Sequence, residues 1–129
     1  MIRDYRSDDL DGVRRLLMEN GWGGRASDRD RLRQIIASAT RAVVVEDGGA
    51  IVAFGRCITD HVSNGYLSMI VVAVAYRRRG IGRAVVAELT GDSPEVTWVL
   101  RAGHPDAAPF WKGIGFTRSK VAYERSRRI

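Results

Sequence analysis

The chain has one cysteine, Cys57, so no disulfide can form within it. A lone thiol fits a reducing compartment. Its two histidines, His61 and His104, stand far apart in the sequence. Two histidines and one cysteine are a poor donor set for zinc, and no metal site is expected. Long apolar runs are missing as well. No stretch approaches the roughly 18 apolar residues a membrane span requires. The opening MIRDYRSDDL has no apolar segment of the kind a signal peptide carries. Repeats, low-complexity tracts and linkers are also absent. These absences point to a cytoplasmic setting without a membrane partner. The length of 129 residues suits one domain, read here as residues 1–129.

What is present is a core and a charge. Hydrophobic residues make up 45% of the chain, enough for a packed interior. The formal net charge is +6, and the isoelectric point is about 10.2. That excess favours an anionic partner: nucleic acid, anionic lipid or a phosphorylated small molecule.

The patterning gives an α/β order. Ile2 to Tyr5 reads as a short strand. Ser7 is placed to cap a helix carrying Leu10, Val13, Leu16 and Leu17 on one face, stopped by Asn20-Gly21. Trp22-Gly23-Gly24 reads as a flexible link. Ser27 is placed to cap a second helix with Leu32, Ile35 and Ile36 inward and Arg25, Arg29, Arg31 and Arg33 solvated. Arg41 to Glu46 and Ala50 to Thr59 flank Asp47-Gly48-Gly49 as a hairpin. Tyr66 to Val74 follows as a third meander strand after the turn at Asp60 to Gly65. A helix runs from about Gly82 to Leu89, then a strand from Val96 to Leu100 with apolar residues on both faces, as in an inner parallel strand. Ala108 to Ile114 reads as a short helix and Phe116 to Arg125 as a terminal strand. The order β-α-α-β-β-β-α-β-α-β implies a mixed, mostly antiparallel sheet flanked by helices.

The segment AYRRRGIGRAVV, Ala75 to Val86, carries the densest chemistry. It is not a P-loop, because no G-x-x-x-x-G-K-[ST] run exists. It is not a dinucleotide fingerprint, because Val85 stands where the third glycine would fall. A plain strand-to-helix turn is one reading. An anion cradle is the other. Glycines let main-chain N–H groups approach a ligand, the following helix adds the positive end of its dipole, and Arg77, Arg78, Arg79 and Arg83 add charge.

Ile70 to Ala84 resembles the acetyl-CoA-binding motif of the GCN5-related N-acetyltransferases, Q/R-x-x-G-x-G/A, through Arg77, Gly80 and Gly82. Ala108 to Phe116 resembles that family's A-x-x-F-Y-x-K-x-G-F signature near the C-terminus. The two segments are separated by one helix and one strand, as in the family. The resemblance implies a single domain whose fourth and fifth strands splay apart to admit the pantetheine arm. It places Ile70, Val71 and Val72 along that arm, one N–H there polarising the thioester carbonyl. The loop of Arg77, Arg78, Arg79, Gly80, Ile81, Gly82, Arg83 and Ala84 would hold the pyrophosphate. The implied reaction is acetyl transfer from acetyl-CoA to a primary amine, on a small molecule or a protein, with CoA released.

The chain departs from the family at its catalytic positions. Trp111 stands where a tyrosine commonly serves as general acid, and an indole N–H is a donor but no usable acid. Tyr66 falls near the position where some members carry a carboxylate early in the fourth strand. His104 replaces an asparagine that touches the cofactor, and Val74 replaces a proline. The candidate bases are Asp60 and His61, an imidazole being suited to proton transfer near neutrality. Their plainer reading is an exposed polar turn. Trp22 is either an acceptor-pocket wall, together with Tyr66, or a core tryptophan. Cys57 reads as core packing.

Two other functions stand beside amine acetylation. Trp111 admits a catalytically silent CoA-binding sensor. The charge alone admits a nucleic-acid module, which no helix-turn-helix or RNA-binding signature supports, so no specific nucleic-acid partner is expected. A homodimer is compatible with all three.

Overall fold

The computed structural model describes residues 1–128. Its sheet has five strands in chain order: β1 (Ile2–Asp4), β2 (Arg41–Asp47), β3 (Ala50–Thr59), β4 (Asn64–Val72) and β5 (Thr97–Leu100). β1 to β4 are antiparallel, and β5 joins β4 in parallel. The helices are α1 (Leu10–Glu19), α2 (Gly23–Ala26), α3 (Arg29–Ala37), α4 (Ile81–Thr90) and α5 (Ala108–Gly113). None of them is long and apolar enough to cross a membrane.

Two cores form because side chains alternate across the sheet. On one face, Val44, Phe54, Met69 and Val71 pack against Leu10, Val13, Leu17, Leu32 and Ile36 of α1 and α3. On the other, Val43, Ala53, Cys57 and Leu67 pack against Val85, Val86 and Leu89 of α4. Cys57 is fully buried, as the sequence suggested, and burial pushes its thiol up from the ordinary range. Gly55 admits α4 to the sheet. A Cβ there would stand 2.7 Å from side-chain atoms of Ile70 and Val85.

Four expectations are corrected. Ser7 does not cap α1; Ser7–Asp9 forms a 3₁₀ turn closed by the Asp9 carboxylate, which accepts the Arg6 N–H at 2.8 Å. Asp9 also takes two bonds of 2.8 Å from Arg3, so a charged pair fixes this entry to the helix. The cap of α3 is Asp28, which accepts the Arg31 N–H at 3.0 Å, and not Ser27. Trp22-Gly23-Gly24 is no link: Trp22 opens the one-turn α2, whose last carbonyls accept from the Arg14 guanidinium.

The fourth correction is the terminal strand. Residues 116–128 form no strand. Phe116 is anchored by its N–H to the Trp111 carbonyl at 2.9 Å, but Val121 and Tyr123 are exposed. Thr117 to Lys120 are polar or charged and exposed, so beyond Phe116 the segment buries little against the sheet. It is tethered by an Arg101–Glu124 ion pair instead.

Candidate active site at the fork of the sheet

β4 and β5 are paired only from Asn64/Thr97 to Leu67/Leu100. Beyond Leu67 the two strands part, and Ser68–Val72 is left without a neighbour on that edge. The fork coincides with a bulge. The β3–β4 register slips between Phe54/Val71 and Arg56/Ser68, and Met69 takes φ 57°. A left-handed methionine is costly and re-aims the main chain beside it.

Hydrogen bonding decides which groups face the gap. Ala73 N–H donates to Val52 O, so the narrow pairs run through Ala73 and Val71 toward β3. Val71 therefore bonds into the sheet through its main chain, and its side chain lies in the core. By the same alternation Val72 presents its main chain to the open edge, and Ile70 lies on the unpaired stretch of that edge. Val72 O is already taken by Arg77 Nε at 2.9 Å.

The loop beyond β4 passes through a 3₁₀ turn, Val74–Tyr76, and then alternates its backbone hand. Arg78 has φ 64° and Gly80 φ 80°. The first helical bond of α4 is Ala84 N–H to Gly80 O at 3.0 Å. Ahead of it, none of the six N–H groups from Arg78 to Arg83 donates to any described residue. Such a run of unshared N–H groups at a helix start is a concave anion seat. Gly80 sits at its mouth with open space where a Cβ would be.

The arginines of the loop have distinct partners within the chain. Arg77 is a brace: its Nε and NH2 hold Val72 O and Asn20 Oδ1. Arg83 donates to Gly113 O at 3.2 Å and links α4 to α5. Arg79 lies 5.0 Å above the Tyr76 ring. Tyr76 in turn donates its hydroxyl to Asp47 at 2.6 Å, a bond that raises the phenol above its usual range. Only Arg78 has no protein partner among the described residues.

Trp111 is half-buried beside α4. Its ring meets Phe110 and Phe116 edge-on, at 4.9 and 5.2 Å between centroids. Phe110 in turn covers Gly82, where a Cβ would stand 3.1 Å from the phenyl ring. The second motif thus packs directly on the first.

The candidate bases are not at the fork. Asp60 and His61 lie in the turn before β4, and the four residues from Asn64 to Ser68 span roughly 13 Å of strand. Asp60 is also occupied. It accepts the N–H groups of Val62, Ser63 and Asn64 and the Ser63 hydroxyl at 2.6 Å, which together hold it well below the usual carboxylate range. A carboxylate so satisfied is a turn brace and a poor base. His61 is exposed with φ 62°. His104 uses Nδ1 to accept the Asp106 N–H at 3.1 Å, capping the turn after β5. Trp22 is half-buried against the α1–α3 core, and Tyr66 lines a shallow recess of about 270 Å³ with Ile58 and Asp60.

One residue escaped the sequence reading altogether. Arg56 interrupts the apolar run of β3 and is 5% exposed. Its Nε is buried with no hydrogen-bond partner, and desolvation lowers the guanidinium from its ordinary value. The signal was there: a charged residue at an inward position between Phe54 and Cys57.

The five-stranded sheet with a parallel fork, a bulge at its mouth and an N–H seat beyond it is the framework of an acyl-transfer fold. The acetyltransferase (GNAT) family model matches residues 9–116, and the chain belongs to that family. Solved structures agree in fold. A probable acetyltransferase from Staphylococcus aureus superposes with a TM-score of 0.81 at 16% identity, covering 100% of both chains. A GNAT-family protein from Streptococcus pneumoniae gives 0.75 at 21% identity, over 98% of each chain. An aminoglycoside N-acetyltransferase in complex with CoA gives 0.75 at 15% identity, covering 100% of this chain and 95% of the other. No curated protein matches the chain in sequence.

Proposed function

We propose that the protein transfers the acetyl group of acetyl-CoA to an amine nitrogen. The observation that carries this reading is the set of six unshared N–H groups from Arg78 to Arg83 beside the β4–β5 fork. The seat suits a diphosphate, and the open edge at Ile70 and Val72 suits an amide-bearing arm. Arg78 is the side chain free to add charge there. When bound, acetyl-CoA supplies a thioester whose C–S bond breaks as the acceptor nitrogen forms the new C–N bond, releasing the CoA thiol.

The chain's own residues orient and exclude water. The bulge at Met69 turns the main chain beside it toward the gap, where an N–H can hold a developing oxyanion. Trp111 and Phe110 close the wall beside α4. In this reading Asp60 braces its turn, the acceptor's proton passes to water, and water also serves the departing thiolate.

Trp111 favours one other reading, a CoA-binding protein without turnover. Calorimetric titration with CoA, followed by thiol release from acetyl-CoA across a broad amine panel, separates the two. Binding with amine-dependent thiol release supports the enzyme, and binding alone supports the sensor. Unchanged CoA affinity in a Gly80→Val/Gly82→Val double variant sinks both.

A further inference from the structure

The half-buried arginines of this chain are partnered, two by carboxylates and Arg14 by main-chain carbonyls. Arg3 pairs with Asp9 and Glu46, and Arg41 with Asp4 and Glu88. Arg56 has no such partner, although it is the most buried of them. Among the described residues no carboxylate pairs with it, and its Nε has no hydrogen-bond partner. An unpaired guanidinium under cover is destabilising by itself, and an apolar residue would suit a central strand better. The Nε of Arg56 is thus open to an anion from outside the chain.

Its position says where that anion would sit. Along β3, Gly55 and Cys57 face α4, while Phe54 and Arg56 face the α1–α3 side. Arg56 stands directly opposite Ser68 of β4. Ser68 is the first residue after β5 has left the sheet. The main chain of Arg56 is therefore about one strand spacing, ~4.8 Å, from the mouth of the fork. Ser68 is itself buried, and Tyr66 lies diagonally across on the same face. Three donors thus stand on the sheet face away from α4: Arg56 and Ser68 beside the fork, and the Tyr66 hydroxyl within the paired part of β4.

We propose that the acceptor amine carries a carboxylate, and that Arg56, with Ser68 and Tyr66 beside it, is the specificity-determining residue that binds it. This rests on amine acetylation as the reaction. A guanidinium matches a carboxylate with two parallel hydrogen bonds, and the exclusion of water strengthens them. An acceptor without the anion leaves Arg56 buried and unpaired, which a polar site of this kind rejects strongly. A polycationic amine would set like charges together. The carboxylate on Arg56 and the amine at the thioester must be joined by a short spacer, because Ser68 and Ile70 are two residues apart. Free amino acids and compounds of that size have this geometry.

The test compares α-amino acids with their carboxamides, read by thiol release from acetyl-CoA. The wild type is expected to favour the acids by about 10²-fold or more in kcat/KM. Arg56→Gln is expected to erase that preference, chiefly through the acceptor KM, with CoA affinity held. Equal use of acids and amides by the wild type overturns the proposal whether or not the variant folds. A second reading is independent of turnover: in saturating CoA, a carboxylated amine should raise the melting temperature of the wild type and not of Arg56→Gln. If no amine is acetylated, the enzyme reading fails while this shift still decides the role of Arg56. Absence of any shift in the wild type, or an equal shift in the variant, overturns it.

Discussion

Arg77 and Asn20 are 57 residues apart in sequence and 2.8 Å apart in space. The guanidinium of Arg77 donates to the Asn20 side chain and, through Nε, to the last carbonyl of β4. Asn20 is itself fixed by its amide on Leu16 O. The C-terminus of α1 is thereby tied to the start of the N–H seat. Replacing Arg77 with methionine should free that loop. CoA affinity is expected to fall about tenfold, and Asn20→Ala should cost less, by a factor of about three. Titration calorimetry on both variants checks the order; equal and unchanged affinities would show that the brace has no part in binding.

Gly80 tests the seat itself. At φ 80° a β-branched residue is strained by about 1–2 kcal/mol, but nothing lies within 4 Å of its Cβ position. Gly80→Val should therefore fold, with a modestly lower melting temperature, and lose CoA affinity by tenfold or more. Retention of full affinity would move the diphosphate site elsewhere.

Trp111 tests the chemistry. A tyrosine at this position keeps an aromatic ring between Phe110 and Phe116 and adds an acidic hydroxyl. General-acid help is worth about 10²–10⁴-fold where it operates. Trp111→Tyr is expected to raise kcat with the true acceptor and leave CoA affinity intact. A fall in both acceptor affinity and rate would make the indole a pocket wall.

Acid stability should report on Asp9. Hydrogen bonds from Arg3, with that from the Arg6 N–H, hold its carboxyl below the usual range in the folded chain. A depressed folded value means that its stabilisation is complete above the unfolded value of about 3.9 and is lost as pH falls through the lower folded one. Asp9→Asn should cost about 2 kcal/mol at pH 7 and much less near pH 2. Denaturant melts at the two pH values measure the difference; equal losses at both would exclude the ionised pair as the cause.

Much of this architecture was legible because periodicity is a local signal. The Asp47-Gly48-Gly49 hairpin, the apolar face of α1 and the glycine loop before α4 each follow from neighbours a few residues apart. The features that escaped depend on distant partners. Met69 carries no mark of a left-handed backbone, since its conformation comes from the slip of β4 against β3. Asp60 could be read as a base or as a turn residue, because its three backbone donors arise only once the turn closes. Arg77 matched a cofactor motif, yet its partner Asn20 lies at the end of another helix. Phe116 to Arg125 reads as a strand, but Val121 and Tyr123 stay exposed and no ladder forms.

The short reach of β5 has a dynamic consequence. It is held to the sheet by four register pairs along one edge, and its other edge carries no strand among the described residues. β4, by contrast, is zipped to the ten-residue β3 along most of its length. Local opening takes the least-tethered element first, so the amides of Thr97–Leu100 should exchange with solvent well before those of Val52–Cys57. The two walls of the fork thus differ in compliance: β4 is a fixed rail, and β5 is a leaf on a short hinge.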